Sequence, residues 1–413
     1  MAHALASRSG QLTYPSHYLV RTPRFQAARR FHVSERRARH ISAWLLLYCL
    51  IQGELGLAWD IQWHFLVGRD RFWTPPHTLI YIAVGLGGLV TLGMVLLDTY
   101  RYRRGFPGVD DTSTVRVLRI FHAPLGFIVT GFGPLVALIA APLDNYWHQL
   151  YGIDITLWAP FHLMGAIGGL LSLLGIAYVF ASQAVCDRQA GSGMRRFLSL
   201  TVSEWGFLVV ISSLLEITMA ALTQFTPLVL GPVNIVTYPL PLACGGALCL
   251  VGALRFTRKP GTATLTTILL SMHVVVTQVL VPVITRMTVA HLGLSYRAGR
   301  VPALSVTALL LPLVFVVSAL LIDALARLPE RAGQTCTRRT VLMGVVMALA
   351  ALVLPPCIAW SLAQVSPLTR DISAVLEPTR LDMLVSLPVV LALAWLGAAY
   401  GTKIGSFWQK NAR

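Results

Sequence analysis

Long apolar runs alternate with short polar stretches along this chain. Crossing about 30 Å of hydrocarbon takes about 20 residues of helix. Ten runs meet or approach that length, at roughly 41–58, 77–98, 120–142, 158–183, 199–222, 235–254, 264–285, 301–323, 340–363 and 383–402. The strand-type alternation of apolar and polar residues is absent, which argues against a β-barrel. The expected fold is therefore all-α, a polytopic bundle of about ten transmembrane helices. The longest linkers, 98–119 and 326–339, are rich in charge and contain Gly or Pro, as solvated connections should. No low-complexity segment separates two soluble domains. The expected division is a basic arm (1–40), a four-helix unit (41–183), six further helices (184–405) and a short tail (406–413).

Composition agrees with this reading. Of 413 residues, 55% are hydrophobic and 12% charged, and mean hydropathy is +0.68. Soluble domains carry about 25% charged residues. The net charge of +16 raises a nucleic-acid reading, but the distribution of charge removes it. With the N-terminus placed inside, 26 of the 33 Lys and Arg residues fall on the inner side and 7 on the outer. That is the positive-inside bias. It places both termini in the cytoplasm and the chain in the plasma membrane. The arm RFQAARRFHVSERRARH is expected to set this topology and to touch anionic lipid, with no role for nucleic acid. The first forty residues lack the apolar core of a cleavable signal, so the first helix is expected to act as an anchor. Cys49, Cys186, Cys244, Cys249, Cys336 and Cys357 form no CxxC pair and read as small buried hydrophobes.

The polar positions between runs one and two, and again between runs three and four, follow a common pattern. In the first, Asp60 is followed by His64, Gly68, Asp70, Trp73, Pro76 and His77. In the second, Asp144 is followed by His148, Gly152, Asp154, Trp158, Pro160 and His162. Spacing is the same through the second Asp and then differs by one residue before the last His. A glycine-rich stretch follows each copy (84–88 and 165–169), where small residues let helices approach. The N-terminal end thus reads as a duplicated helix–loop–helix, with both copies on the outer side.

Residues four apart share a helix face, so Asp60 and His64 point together, as do Asp144 and His148. Pro in the first helical turn starts the returning helix, which brings His77 and His162 back toward them. Two imidazoles and a carboxylate form a metal-ligand set suited to copper, zinc or non-haem iron. Asp70 and Asp154 are placed to orient a ligand histidine or relay a proton. The competing reading is an interfacial belt of polar and aromatic residues at the headgroups. Glu54, Glu216 and His273 stand apart as ionisable residues inside apolar runs, which marks them for attention. Glu54 falls on another face from Asp60. Glu216 is expected to approach the Asp/His site if the fifth helix packs on the first four, and His273 to make an interhelical hydrogen bond. Arg286, Arg297 and Arg300 are expected to meet headgroups or an anion.

Residues 60–81 resemble a stretch of the copper membrane monooxygenases, the particulate methane and ammonia monooxygenases. It lies in the membrane-embedded subunit of those enzymes that has a D-x3-H-x12-H copper motif with RD and T-P-x-H flanks. Asp60, His64 and His77 match the motif without a gap, as do Arg69, Asp70, Thr74 and Pro75, while Trp73 replaces a Phe. The second copy keeps the three ligands with one extra residue, and Ile153 replaces the Arg. The resemblance covers about 22 residues. It implies a copper site in the outer half of the membrane, other membrane subunits as partners and, for an enzyme, a small apolar substrate arriving through lipid. The family's motif-bearing subunit is shorter, and no soluble copper domain is visible here. Two other readings stand beside this one: a multi-pass transporter, and a non-catalytic protein that holds metal for assembly or sensing.

Overall fold

The structure, a computed structural model, describes residues 23–68, 71–106, 113–152, 158–189, 196–221, 227–328, 336–365 and 378–410. The helices are α1 (Pro23–Leu66), α2 (Pro75–Arg103), α3 (Leu125–Tyr151), α4 (Pro160–Gln189), α5 (Val202–Ala220), α6 (Pro239–Thr257), α7 (Thr262–His291), α8 (Val306–Leu310), α9 (Leu313–Arg327), α10 (Cys336–Val365) and α11 (Arg380–Lys410). Ten helical segments among the described residues are long and apolar enough to cross a membrane, with α8 and α9 together forming one. The expected all-α multi-span architecture is what the chain adopts. Pro312 breaks the eighth span, because it cannot donate to the preceding turn.

Two features depart from the sequence reading. Three short antiparallel hairpins lie in the connections: β1 (Thr114–Val117) with β2 (Phe121–Pro124), β3 (Arg196–Phe197) with β4 (Leu200–Thr201), and β5 (Leu228–Leu230) with β6 (Val233–Ile235). Strands of two to four residues are too short to print an alternation. The helices also outrun the apolar stretches. α1 continues to Leu66 and α3 to Tyr151, past the apolar runs, and so includes Asp60, His64, Asp144 and His148 as their i,i+4 spacing requires. Backbone hydrogen bonding continues past the point where side chains turn polar, so hydropathy ends a helix too early.

α5 and α6 form the centre. Their apolar windows are 67% buried, against 28% for α2, α3 and α11. Large apolar side chains such as Ile41, Leu89, Leu138, Met272 and Leu384 point outward, as on a lipid-facing surface. Small residues set the tightest helix approaches. A Cβ on Gly133 would fall 2.5 Å from the Gly168 carbonyl, and one on Gly175 would run into the Thr130 nitrogen, so α3 and α4 touch backbone to backbone. Gly397, Gly401 and Gly405, spaced by four, place α11 against the Cys244, Leu248 and Gly252 carbonyls of α6. Of the two expected glycine stretches, Gly168 does this work, whereas Gly85, Gly165 and Gly169 face open space.

One end of the bundle is bound by buried charge. Arg39 Nη2 lies 2.8 Å from Glu35 Oε1 and 3.1 Å from Asp98 Oδ1, joining α1 to α2, with Arg101 beside them. Asp187 of α4 takes Arg36 at 3.3 Å and accepts from Ser203 Oγ at 2.6 Å. Glu204 closes a capping box with Thr201 at the start of α5. It also pairs with Arg188 at 2.7 Å and Lys259 at 2.9 Å. The Asp/His motifs lie at the opposite end. At 100° per residue, Glu35, Arg39, Asp60 and His64 fall within an arc of about 60° on α1, the stripe turned to α2.

Candidate metal centre

Each motif is built by one helix end and the next helix start. Asp60 and His64 occupy the last two turns of α1. Gly68 (φ 69°) then turns the chain, a conformation that glycine adopts without cost. Thr74 caps α2, its Oγ accepting from the His77 backbone N–H at 3.3 Å, with Pro75 and Pro76 at the first two helical positions. His77 is thereby fixed in the first turn, facing Asp60. The second motif repeats this. Asp144 and His148 end α3, Gly152 (φ 85°) turns the chain, and α4 starts at Pro160 with His162 two residues on.

The Asp–His contacts of the two motifs agree. Asp60 Oδ2 lies 3.5 Å from His64 Nε2, and Asp60 Oδ1 lies 3.1 Å from His77 Nε2. In the second copy the same pairs, Asp144 with His148 and His162, are 3.4 and 3.3 Å apart. His148 Nε2 and His162 Nε2 are 3.3 Å apart. Ligands bound at about 2.0–2.2 Å and 90–110° apart sit about 2.9–3.5 Å from each other. The donor spacing therefore fits a transition metal.

Tautomers sharpen the fit. His77 Nδ1 lies 3.0 Å from the Arg71 carbonyl, and His148 Nδ1 lies 3.1 Å from the Gly152 carbonyl. A carbonyl only accepts, so each Nδ1 carries a proton and each ring turns its Nε2 into the site. Nε2 of His77 then meets a carboxylate oxygen, and Nε2 of His148 meets both a carboxylate and a second Nε2. Asp60 Oδ1 and Asp144 Oδ1 are buried with no aligned donor. Ring nitrogens and carboxylate oxygens brought this close need a proton or a metal ion among them.

The two sites abut. The His64 and His148 rings have centroids 6.5 Å apart, so the two triads lie side by side. They are not equivalent: the His162 side chain is 26% exposed and the His77 side chain 15%. The extra residue before His162 accompanies the more open site.

All six expected ligands are thus brought together in two triads. Asp70 and Asp154 lie outside the described residues. For His77 and His148, the tautomer is held by backbone carbonyls of Arg71 and Gly152. Sequence could not single these out, since every residue carries a carbonyl. The belt reading is corrected in part. Trp59 and Trp63 are buried, and Trp63 and Val67 pack with Val289 of α7, while Trp73 and Trp158 are exposed as a belt requires. Arg297 reaches over the end of α1, its Nη1 3.5 Å from the His64 carbonyl, and Arg286 donates to the Pro302 carbonyl at 3.0 Å. Both arginines have protein partners, and a cation at the last carbonyls of α1 complements the helix dipole. Glu216 does not join the triads. It meets Glu54 and His273 in a third group, assembled from α5, α1 and α7. No spacing rule links residues on three separate helices.

Compared with protein-family models, curated proteins and solved structures, the chain matches none.

Proposed function

We propose that this chain is an integral membrane metalloprotein whose two Asp/His/His triads hold copper, in the manner of the motif-bearing membrane subunit of the copper monooxygenases. The observation that carries the reading is the convergence of two Nε2 atoms and a carboxylate in each motif, at matching Asp–His distances of 3.1–3.5 Å. In each motif one ring, His77 in the first and His148 in the second, is held with Nε2 inward by a backbone carbonyl at Nδ1. The preference for copper over zinc or iron rests on the motif resemblance of residues 60–81, since the donor set suits all three.

In this reading Asp60, His64 and His77 bind one ion, and Asp144, His148 and His162 a second. Arg71 and Gly152 hold the ligand rings in register, and Asp70 and Asp154 orient ligands or relay protons from the loops. Bound copper supplies one-electron redox chemistry. The chain's contribution is an apolar wall, open to lipid, past which a small apolar substrate can reach the site. The charge bias of the loops supports an orientation with the triads at the outer face and both termini in the cytoplasm, and the plasma membrane is the membrane of this reading. Membrane lipids and other membrane subunits are the expected partners.

A multi-pass carrier is the second reading. It gains from the convergence of Glu54, Glu216 and His273 inside the bundle, the kind of polar group a carrier needs.

The test is metal per chain, measured by elemental mass spectrometry on protein in nanodiscs reloaded with copper or zinc. Wild type is compared with His64→Ala/His77→Ala and His148→Ala/His162→Ala. The expected result is two ions in wild type, and loss of copper in each variant. Wild-type protein that retains no metal would overturn the proposal and favour the carrier.

A further inference from the structure

Glu54, His273 and Glu216 lie apart from the metal triads. Glu54 precedes Asp60 by six residues on α1, about 9 Å along the axis and about 120° around it. His273 Nδ1 is 3.7 Å from Glu54 Oε2, and His273 Nε2 is 3.3 Å from Glu216 Oε2. The side chains are 17%, 14% and 27% exposed for Glu54, His273 and Glu216. The groups turned toward one another are Glu54 from α1, Ser213 and Glu216 from α5, and His273 from α7. Among the described residues, no Lys or Arg pairs with either carboxylate.

This geometry differs from that of the triads in one decisive respect. In the triads, imidazole nitrogens converge on one point. Here one ring turns its two nitrogens in different directions, Nδ1 toward Glu54 and Nε2 toward Glu216. One nitrogen and one oxygen of each carboxylate lie close enough to take an ion, but only a proton uses both nitrogens of the ring. A proton can pass through such a ring, entering at one nitrogen and leaving from the other. We propose that Glu216, His273 and Glu54 form a proton relay inside the bundle.

The two ends are unlike, which gives the relay a resting state. Ser213 Oγ donates to Glu54 Oε2 at 3.0 Å, which suits a carboxylate. Glu216 Oε2 is buried without an aligned donor, which suits the protonated acid. From this state Glu216 gives its proton to His273 Nε2, and the resulting imidazolium gives its Nδ1 proton to Glu54. Glu216 ends as carboxylate, Glu54 as acid and His273 as the other neutral tautomer. One proton has moved, and the charge of the trio is unchanged throughout. The cycle resets when Glu54 releases its proton, Glu216 takes up another and the ring exchanges tautomers.

Infrared spectroscopy of the full-length protein in nanodiscs tests this. The readout is the carbonyl stretch of a buried protonated carboxyl group at neutral pH, and its shift on transfer to D2O. The expected result is a band in wild type that is lost in Glu216→Gln. In His273→Gln, the D2O shift of that band slows by more than an order of magnitude. An unchanged spectrum in Glu216→Gln overturns the proposal, and so does wild-type exchange in His273→Gln. The Glu216→Gln difference stands by itself should His273→Gln fail to fold. The band also persists in His64→Ala/His148→Ala, so the relay is judged independently of metal at the triads.

Discussion

His64 on α1 and His148 on α3 face each other with ring centroids 6.5 Å apart, at the junction of two helix pairs that build the same triad. Two cations held on either side of this contact repel each other across a short distance of low dielectric. Filling one triad therefore weakens the other. Competition titration of His148→Ala/His162→Ala should show the first triad binding its ion more tightly than the second ion binds to wild type. Equal affinities would mean that the triads act independently.

Thr74 positions His77 by capping α2, and it is almost fully buried. Thr74→Ala should lower stability by about 1 kcal/mol, the usual cost of a lost N-cap. It should also weaken metal binding at Asp60/His64/His77 and leave Asp144/His148/His162 unchanged. Denaturant unfolding in detergent and per-site metal titration read the two effects separately.

Arg39 sits between Glu35 and Asp98 with 5% of its side chain exposed. Arg39→Met removes the cation and leaves two buried carboxylates beside Arg101. Breaking a buried pair in this way costs about 3–5 kcal/mol. A thermal or denaturant midpoint close to wild type would show that Arg101 compensates.

Gly401 lies at one of the close approaches of α11 to α6. A Cβ there would stand 2.6 Å from the Leu248 carbonyl, where neither backbone can yield. Gly401→Val should cost about 1–3 kcal/mol or more by overpacking. Gly169→Val on α4, where nothing lies within 4 Å, should be near neutral. Melting temperatures of the two variants make the comparison.

The sequence made the spans legible because transfer to hydrocarbon is a property of composition, and composition is written residue by residue. The triads were legible because each draws two ligands from one helix turn and a third from a proline-started neighbour, all local relations. Hydropathy alone ends α1 and α3 early, but the i,i+4 spacing of Asp60 with His64 and of Asp144 with His148 already placed them on the helix ends. Least legible was the meeting of Glu54, Glu216 and His273. Each could be marked as an unusual residue, but their contact depends on how α1, α5 and α7 pack, which no short-range pattern records. The adjacency of His64 and His148 is of the same kind.

α1 runs unbroken from Pro23 to Leu66, about 66 Å of helix. It carries the Glu35–Arg39 pair near one end, Glu54 in its middle and Asp60 with His64 near the other. These groups share one shaft, like cams cut on a single rod. A slip of one residue would turn them all by about 100° together. The charge lock with α2, the proton-holding trio and the first triad would then disengage in one movement, so none of the three can be retuned by shifting α1 without disturbing the other two.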